Sequence, residues 1–366
     1  MTTFSLVALP IVALILIVRH YHDIRNWIAK TTKKIDRCRN GAPVQTPVDV
    51  QRMAPYPAQP IKGRERYRVM MDIRKLDTHN WLTLDKHYLE EHSVRNDLLR
   101  DKRDEVLQCL PESAEACHEA LQEVSEFLCE RYPHMFEKVI RDDTQSIHNR
   151  MTGERFAIRG SACSGEGIDA LEAAVRLTME DLSILMMNED GEYYLAASAS
   201  LFPTGWTPKN ESDGQFLACM DLSLCGTNRL PIPFLARLTP NSPMERSNYF
   251  VEIKRPDENL IEILYRPQGL CEKHTRDPSP SEILIRRERQ TFRRLPQSGT
   301  ILFGVKTYLT TLDQLPMQEL ENLVREMKTW PDYVGEYKGK DVWGTKVLEY
   351  YKTRTLAAQM KDNLEV

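Results

Sequence analysis

The stretch EILIRRERQTFRRLPQSGTILFGVKTYLT, Glu282 to Thr310, restricts the fold more than any other part of the chain. Ile283, Leu284 and Ile285 lead in, and Ile301, Leu302, Phe303 and Val305 lead out. Two such runs around Pro296–Gly299 read as an antiparallel hairpin. Inside it lie Arg286, Arg287, Arg289, Arg293 and Arg294. A strand turns alternate residues to opposite faces. Arg287, Arg289, Thr291 and Arg293 therefore share one face, and Arg286, Glu288, Gln290, Phe292 and Arg294 the other. Neither is a plain apolar face, and unpaired buried charge is expensive. Two readings are open. The hairpin presents a solvated face with Glu288 pairing locally, or it lines a pocket for an anion, since guanidinium forks suit carboxylate and phosphate.

The arginines are a local feature. Among 366 residues, 41% are hydrophobic and 28% charged, with a net charge of -4, so the chain is not a general polyanion binder and no nucleic-acid partner is expected. Eight cysteines at irregular spacing, without a CxxC pair, read neither as a disulfide framework nor as a structural zinc site.

The first 18 residues, MTTFSLVALPIVALILIV, carry no charge and precede a basic block, RHYHDIRNWIAKTTKKIDRCR. That length meets the lower limit of roughly 17–25 residues for a membrane-spanning helix. The basic block predicts a single-pass anchor, in the endoplasmic reticulum membrane, with everything after Arg19 in the cytosol. Residues 19–62 then read as a juxtamembrane segment and linker, with Pro43, Pro47, Pro55, Pro57 and Pro60 favouring an extended tether. Residues 63–352 read as one domain and 353–366 as a tail.

Within the domain, apolar spacing of three to four predicts helices over Asp85–Leu107, Ser113–Tyr132 and Gly167–Leu182. The period then falls to two. Leu182–Phe202 reads as a hairpin around Asn-Glu-Asp-Gly, Ser247–Ile253 as a strand, and the opening segment as a second hairpin. Helices return at Leu315–Trp330 and Trp343–Met360. The order predicts an α+β domain, an antiparallel sheet with flanking helices. Glu180 and Asp181, between helix and strand, are expected to cap or to form salt bridges. GSACSGEG, Gly160 to Gly167, reads as a loop leading into a helix.

Several segments in order resemble the HRQ family, relatives of the haem-dependent oxidative N-demethylases. The resemblance rests on MDIRKLDTHNWLTLDKHYLEEHSVRNDLL (Met71–Leu99), ERYPHMF (Glu130–Phe136), ALEAAVRLTMEDLSIL (Ala170–Leu185), ASLFPTGWTPKN (Ala199–Asn210), IRRERQTFRRLPQSGTILFGVKTYL (Ile285–Leu309) and YKGKDVWGTKVLEYY (Tyr337–Tyr351). It implies a PAS-like haem fold and haem b as cofactor, with O2 and reducing equivalents oxidising an N-methyl group of a small metabolite. Relatives keep the ERQT core, which implies a cofactor-binding role for Arg289 as anion partner of a propionate or substrate. Arg287 adds charge beside it, Glu288 and Gln290 hold the polar network of the other face, and Arg286 and Arg294 are left solvated.

One segment departs from the pattern. Many relatives carry IHxPVPG where this chain has CMDLSLCG, Cys219 to Gly226. Asp221 stands at the histidine position, so it is included among the cofactor-contacting positions. Aspartate is not a usual haem ligand, and no axial ligand is identified. The leading expectation is a membrane-tethered haem-dependent oxidoreductase, fed by an electron-donor reductase, in fungal specialised metabolism. The alternatives are a PAS-like ligand-binding protein without haem, and an assembly partner of membrane-bound enzymes.

Overall fold

The structure, a computed structural model, describes residues 50–67, 72–160, 165–205, 207–208, 232–268 and 277–362. These lie in one unit, residues 49–366. The expected anchor and the basic block after it lie outside the described residues. Among the described residues no helix is long and apolar enough to cross a membrane.

Among the described residues, ten strands fall into two antiparallel sheets. They are β1 (Arg74–Lys75), β2 (Leu107–Cys109), β3 (Phe136–Arg141), β4 (Thr144–Asn149), β5 (Arg155–Arg159), β6 (Asp181–Met187), β7 (Tyr193–Ala199), β8 (Met244–Ile253), β9 (Ile283–Arg294) and β10 (Ile301–Thr311). The main sheet runs β1-β8-β9-β10-β6-β7-β2, and β3-β4-β5 form a small second sheet. Five longer helices accompany them: α1 (Tyr88–Asp101), α2 (Ala114–Arg131), α3 (Gly167–Leu177), α4 (Met317–Thr329) and α5 (Lys340–Asp362). The α+β class and both expected hairpins are present.

Register fixes which side chains share a face. Asp181 pairs with Val305, Val305 with Gln290, and Gln290 with Arg246, so these four form one row across the sheet. The adjacent residues Leu182, Gly304, Thr291 and Glu245 form a row on the opposite face. That second face is covered by helices. Leu182, Ile184 and Leu302 join Leu121, Val124 and Leu128 of α2 and Leu171 and Val175 of α3 in one core. Val251, Ile253, Ile283 and Ile285 join Leu320, Leu323 and Val324 of α4 and Trp343 and Val347 of α5 in another. Gly304 keeps the second face flat, because a Cβ there would lie 2.8 Å from the Thr291 hydroxyl.

Three expectations are corrected. The helix expected to reach Leu107 stops at Asp101, a short turn follows, and Leu107–Cys109 instead extend the sheet by pairing with Ala197–Ala199. An unpaired sheet edge outweighs local helical spacing there. The helix expected to reach Leu182 ends at Leu177, because Asp181 already pairs with Val305. Residues 50–62 carry little regular structure, as a tether would, yet they are packed down. Val50 and Ile61 are buried in the two cores, and the Ile61 amide donates to Glu319 of α4 at 3.2 Å.

Candidate functional site

The arginines of β9 divide by face, and both faces are buried around them. On the helix-covered face, Arg289 is held by Glu245 (2.7 Å) and by the carbonyls of Trp81 (3.2 Å) and Asn80 (2.5 Å), with its guanidinium 4.4 Å over the Tyr56 ring. Arg287 pairs with Glu319 at 2.6 Å. Arg293 pairs with Glu123 of α2 and lies 4.4 Å over the Trp81 ring. Lys306 on β10, next to Arg289 in register, is bound by Asp85 and the Thr83 carbonyl, each at 2.7 Å. The anion that Arg289 meets is therefore a carboxylate of its own chain. This ionic layer sits between the two cores and ties β9 to α2, α4 and the segment before α1.

Arg286 and Arg294 are not solvated, contrary to expectation. Arg286 is fully buried. It donates to the carbonyls of Phe202 (2.8 Å), Leu264 (3.0 Å) and Ile263 (3.1 Å), and pairs with Glu252 at 3.4 Å. Burial raises the pKa of Glu252, while Arg286 and Arg266 pull it down. Arg294, half-buried, donates to the carbonyls of Leu235 (2.8 Å), Leu238 (2.7 Å) and Gly299 and to the Tyr193 hydroxyl (3.0 Å). Local alternation could not reveal these partners, since most of them are carbonyls more than 20 residues away along the chain.

The other face of the sheet carries the cavity. It encloses about 590 Å³, its open mouth included, and is lined by Asp181, Ser183, Ser200, Phe202, Pro203, Thr204, Asn248, Phe250, Glu288, Gln290, Phe303, Val305 and Tyr337. Gln290 is the hinge of its polar floor. Its amide donates to Glu288 at 2.9 Å, and its carbonyl accepts from Arg246 at 2.6 Å. Asp181 is fixed by Arg95 of α1 at 2.8 Å and by the Phe202 amide at 2.8 Å. Ser183 and Ser198 share a hydrogen bond of 2.9 Å. A sheet face this polar is exceptional for a buried layer, because each such group needs a partner. Phe202, Phe250, Phe303 and Val305 supply the apolar part of the wall.

The structure thus brings Glu288 and Gln290 into the cavity and places Arg287 and Arg289 behind it. Asp221 lies outside the described residues, as do Cys219, Met220 and Cys225. Sequence reasoning missed Ser183, Ser200, Asn248, Phe250, Phe303, Val305 and Tyr337 as site residues. Asp181 was expected to cap a helix or form a salt bridge; it forms a salt bridge with Arg95 and also lines the cavity. The available signal was the period of two itself: extending the Glu288/Gln290 face across neighbouring strands finds most of them.

Among the described residues no group of three or more His, Cys, Asp and Glu is placed to hold a metal ion. Tested against haem, the described lining supplies apolar wall in Phe202, Phe250, Phe303 and Val305 and, in Tyr337, one residue of a type that ligates haem iron, but no Arg, Lys or His to face the propionates.

A buried antiparallel sheet with helices on one face and a polar, aromatic-walled cavity on the other makes this an α+β domain with a concave site on its sheet. The sequence model of the family described as "Haem-dependent oxidative N-demethylase, alpha subunit-like" matches residues 72–348. The match covers well over half of the chain, and the chain belongs to that family.

Proposed function

We propose that the chain is a haem-dependent oxidoreductase of the oxidative N-demethylase or monooxygenase type. Its substrate is a small amine-bearing metabolite, received in the cavity over the Glu288–Gln290 face. The observation that carries this reading is the composition of that cavity. Its ionisable floor residues are the carboxylates Asp181 and Glu288, which suit an ammonium group, while its aromatic walls suit an apolar body. Asp181 is already neutralised by Arg95. The Glu288 carboxylate, to which the Gln290 amide donates at 2.9 Å, is the group we assign to the substrate nitrogen. Haem b, when bound, supplies the redox chemistry at iron. Phe202, Phe250 and Phe303 would pack against it, and Tyr337 is the described lining residue of a type that ligates haem iron. The chain's own residues would orient the amine, hydrogen-bond the carboxylate and exclude water.

The same proposal includes a membrane anchor over residues 1–18, supported by the uncharged run and the basic block after it. A cytosolic domain on such an anchor suits electron delivery from a membrane-bound reductase. The place in fungal specialised metabolism rests on the resemblance alone.

The test is the absorption spectrum of the protein expressed with haem supply, for wild type and for Val305→Trp, which fills the cavity. A stoichiometric Soret band in wild type, lost or shifted in the variant at unchanged folding, is the expected result. Wild-type protein without a Soret band that still binds small amines would favour the haem-free ligand-binding reading. A Soret band indifferent to Val305→Trp would move the haem out of this cavity.

A further inference from the structure

A second cavity, sharing no lining residue with the first, lies along the free end of β10. The pairing of β10 with β6 stops at Val305 and Asp181, whereas β10 runs on to Thr311. Four consecutive residues, Thr307 to Thr310, line this second space of about 1040 Å³, mouth included. Consecutive strand residues point to alternate faces, so the cavity faces the edge of the strand. The opposite walls are the Pro55–Ala58 segment, the first turn of α1, and Leu260 and Leu264.

Glu91 gives this space its chemistry. The residue is part-exposed and lines the cavity, while its Oε2 is shut off from solvent and has no hydrogen-bond partner among the described residues. A buried acceptor without a donor costs about 1–3 kcal/mol and is rare unless a ligand or water completes it. Acidic residues in a first helical turn ordinarily offset the helix dipole. Glu90, exposed beside His87, is placed for that role, whereas the less exposed Glu91 has no ion-pair partner among the described residues. The nearby Asp85 is committed to Lys306. Tyr56, Tyr308 and Leu264 provide an aromatic and aliphatic lining, one face of the Tyr56 ring being taken by Arg289.

We propose that this cavity binds a small organic cation with an apolar body, with the Glu91 carboxylate as its counter-ion. The site goes beyond the oxidoreductase reading, since it uses different residues at a different place on the sheet. Binding is linked to the protonation of Glu91. Burial pushes that carboxyl up to about 8, Lys306 and Arg95 oppose the rise, and Asp85 and Glu180 reinforce it. A bound cation favours the ionised form. Occupancy therefore expels a proton, and affinity rises with pH until the carboxyl is ionised without help.

The probe is benzyltrimethylammonium, whose own charge does not titrate, added to the full-length chain in calorimetry at pH 6.5, 7.5 and 8.5. Wild type is expected to bind it saturably, with affinity rising about tenfold per pH unit below about 8 and levelling above. Glu91→Gln should lose at least tenfold affinity at pH 8.5 and all pH dependence. Ala58→Trp, narrowing the slot from its outer wall, should also block binding. Thermal melts check that both variants fold, and both should leave any Soret band unchanged. That last readout separates this site from the first cavity. No saturable binding by wild type, or Glu91→Gln binding with the wild-type pH profile, would overturn the proposal.

Discussion

Arg286 offers the sharpest test of how the sheet is held together. Replacing it with Met keeps a long side chain but removes the guanidinium from a fully buried position. The carbonyls of Phe202, Ile263 and Leu264 lose their donors, and Glu252 loses one of its two cationic neighbours, keeping Arg266 at 2.8 Å. Truncating one side of a buried ion pair costs about 3–5 kcal/mol. In a domain of this size that lowers Tm by roughly 6–20 °C. The loss should depend on pH with a definite sign. The folded-state pKa of Glu252 already lies above its ordinary value because burial outweighs its arginines. A carboxyl raised in this way favours the folded state at low pH, and that contribution is lost as pH rises through the raised value. Removing Arg286 raises it further, so the deficit against wild type should be smaller at pH 5 than at pH 8. Adding Glu252→Gln should recover part of the loss. Melts followed by circular dichroism at both pH values suffice. A small, pH-independent loss, unaffected by Glu252→Gln, would refute the reasoning.

Three further outcomes are expected. Trp81→Ala removes a side chain that is 2% exposed, meets Phe127 edge-on at 5.3 Å and carries Arg293 on its face; it should cost about 3–5 kcal/mol in denaturant titration. Gly167→Ala should cost roughly 1–3 kcal/mol, because the new Cβ would sit 2.4 Å from the Ala114 Cα and push α3 off α2; unchanged stability would mean that the two helices are not held this closely. Full-length protein should pellet with membranes and resist carbonate, and deletion of residues 2–18 should release a folded domain; carbonate-extractable full-length protein would count against the anchor.

What the sequence revealed, and what it hid, follows from the range of the interactions. The hairpins around Asn188–Gly191 and Pro296–Gly299 were legible because turn chemistry and a period of two are local signals. The helices α2 and α3 were legible for the same reason. The small sheet was not. Its strands place Glu137, Lys138 and Ile140 in solvent, with Ile140 72% exposed, so no clean alternation survives. Its first turn carries Asp142 and Asp143, both with positive φ (43° and 61°), as a type I′ hairpin turn demands. Asp-Asp is a weaker signal for that turn than Asn-Gly or Asp-Gly. The arginine partners were hidden by distance along the chain: Glu245, Glu319, Glu123 and the Trp81 carbonyl are brought to β9 only by the fold. Charge on both faces of a strand left a solvated face and an anion pocket open, and the fold gives neither: the arginines meet carboxylates and carbonyls of their own chain.

The alternation within Glu288-Arg289-Gln290-Thr291 separates two jobs that the sequence presents as one motif. Arg289 and Thr291 face the helices; Glu288 and Gln290 face the cavity floor. Even and odd positions should therefore fail differently. Arg289→Ala leaves Glu245 buried with only Arg74, at 2.6 Å, as counter-ion and strips the donors from Trp81 and Asn80. The expected result is a loss of about 3–5 kcal/mol, with ligand affinity in the surviving folded fraction close to that of wild type. Gln290→Leu removes the bridge between Arg246 and Glu288, both of which have other interactions to fall back on. Its stability cost should be closer to the 1–3 kcal/mol of a disturbed buried hydrogen bond. Glu288 would no longer be steered, so amine binding and any haem spectrum should change well before the fold is lost. The measurement is a pair of ligand titrations and melts on the two variants prepared alike. If Arg289→Ala abolished ligand binding at full stability, the guanidinium would be a ligand-binding group after all, and the division of the motif by face would be wrong.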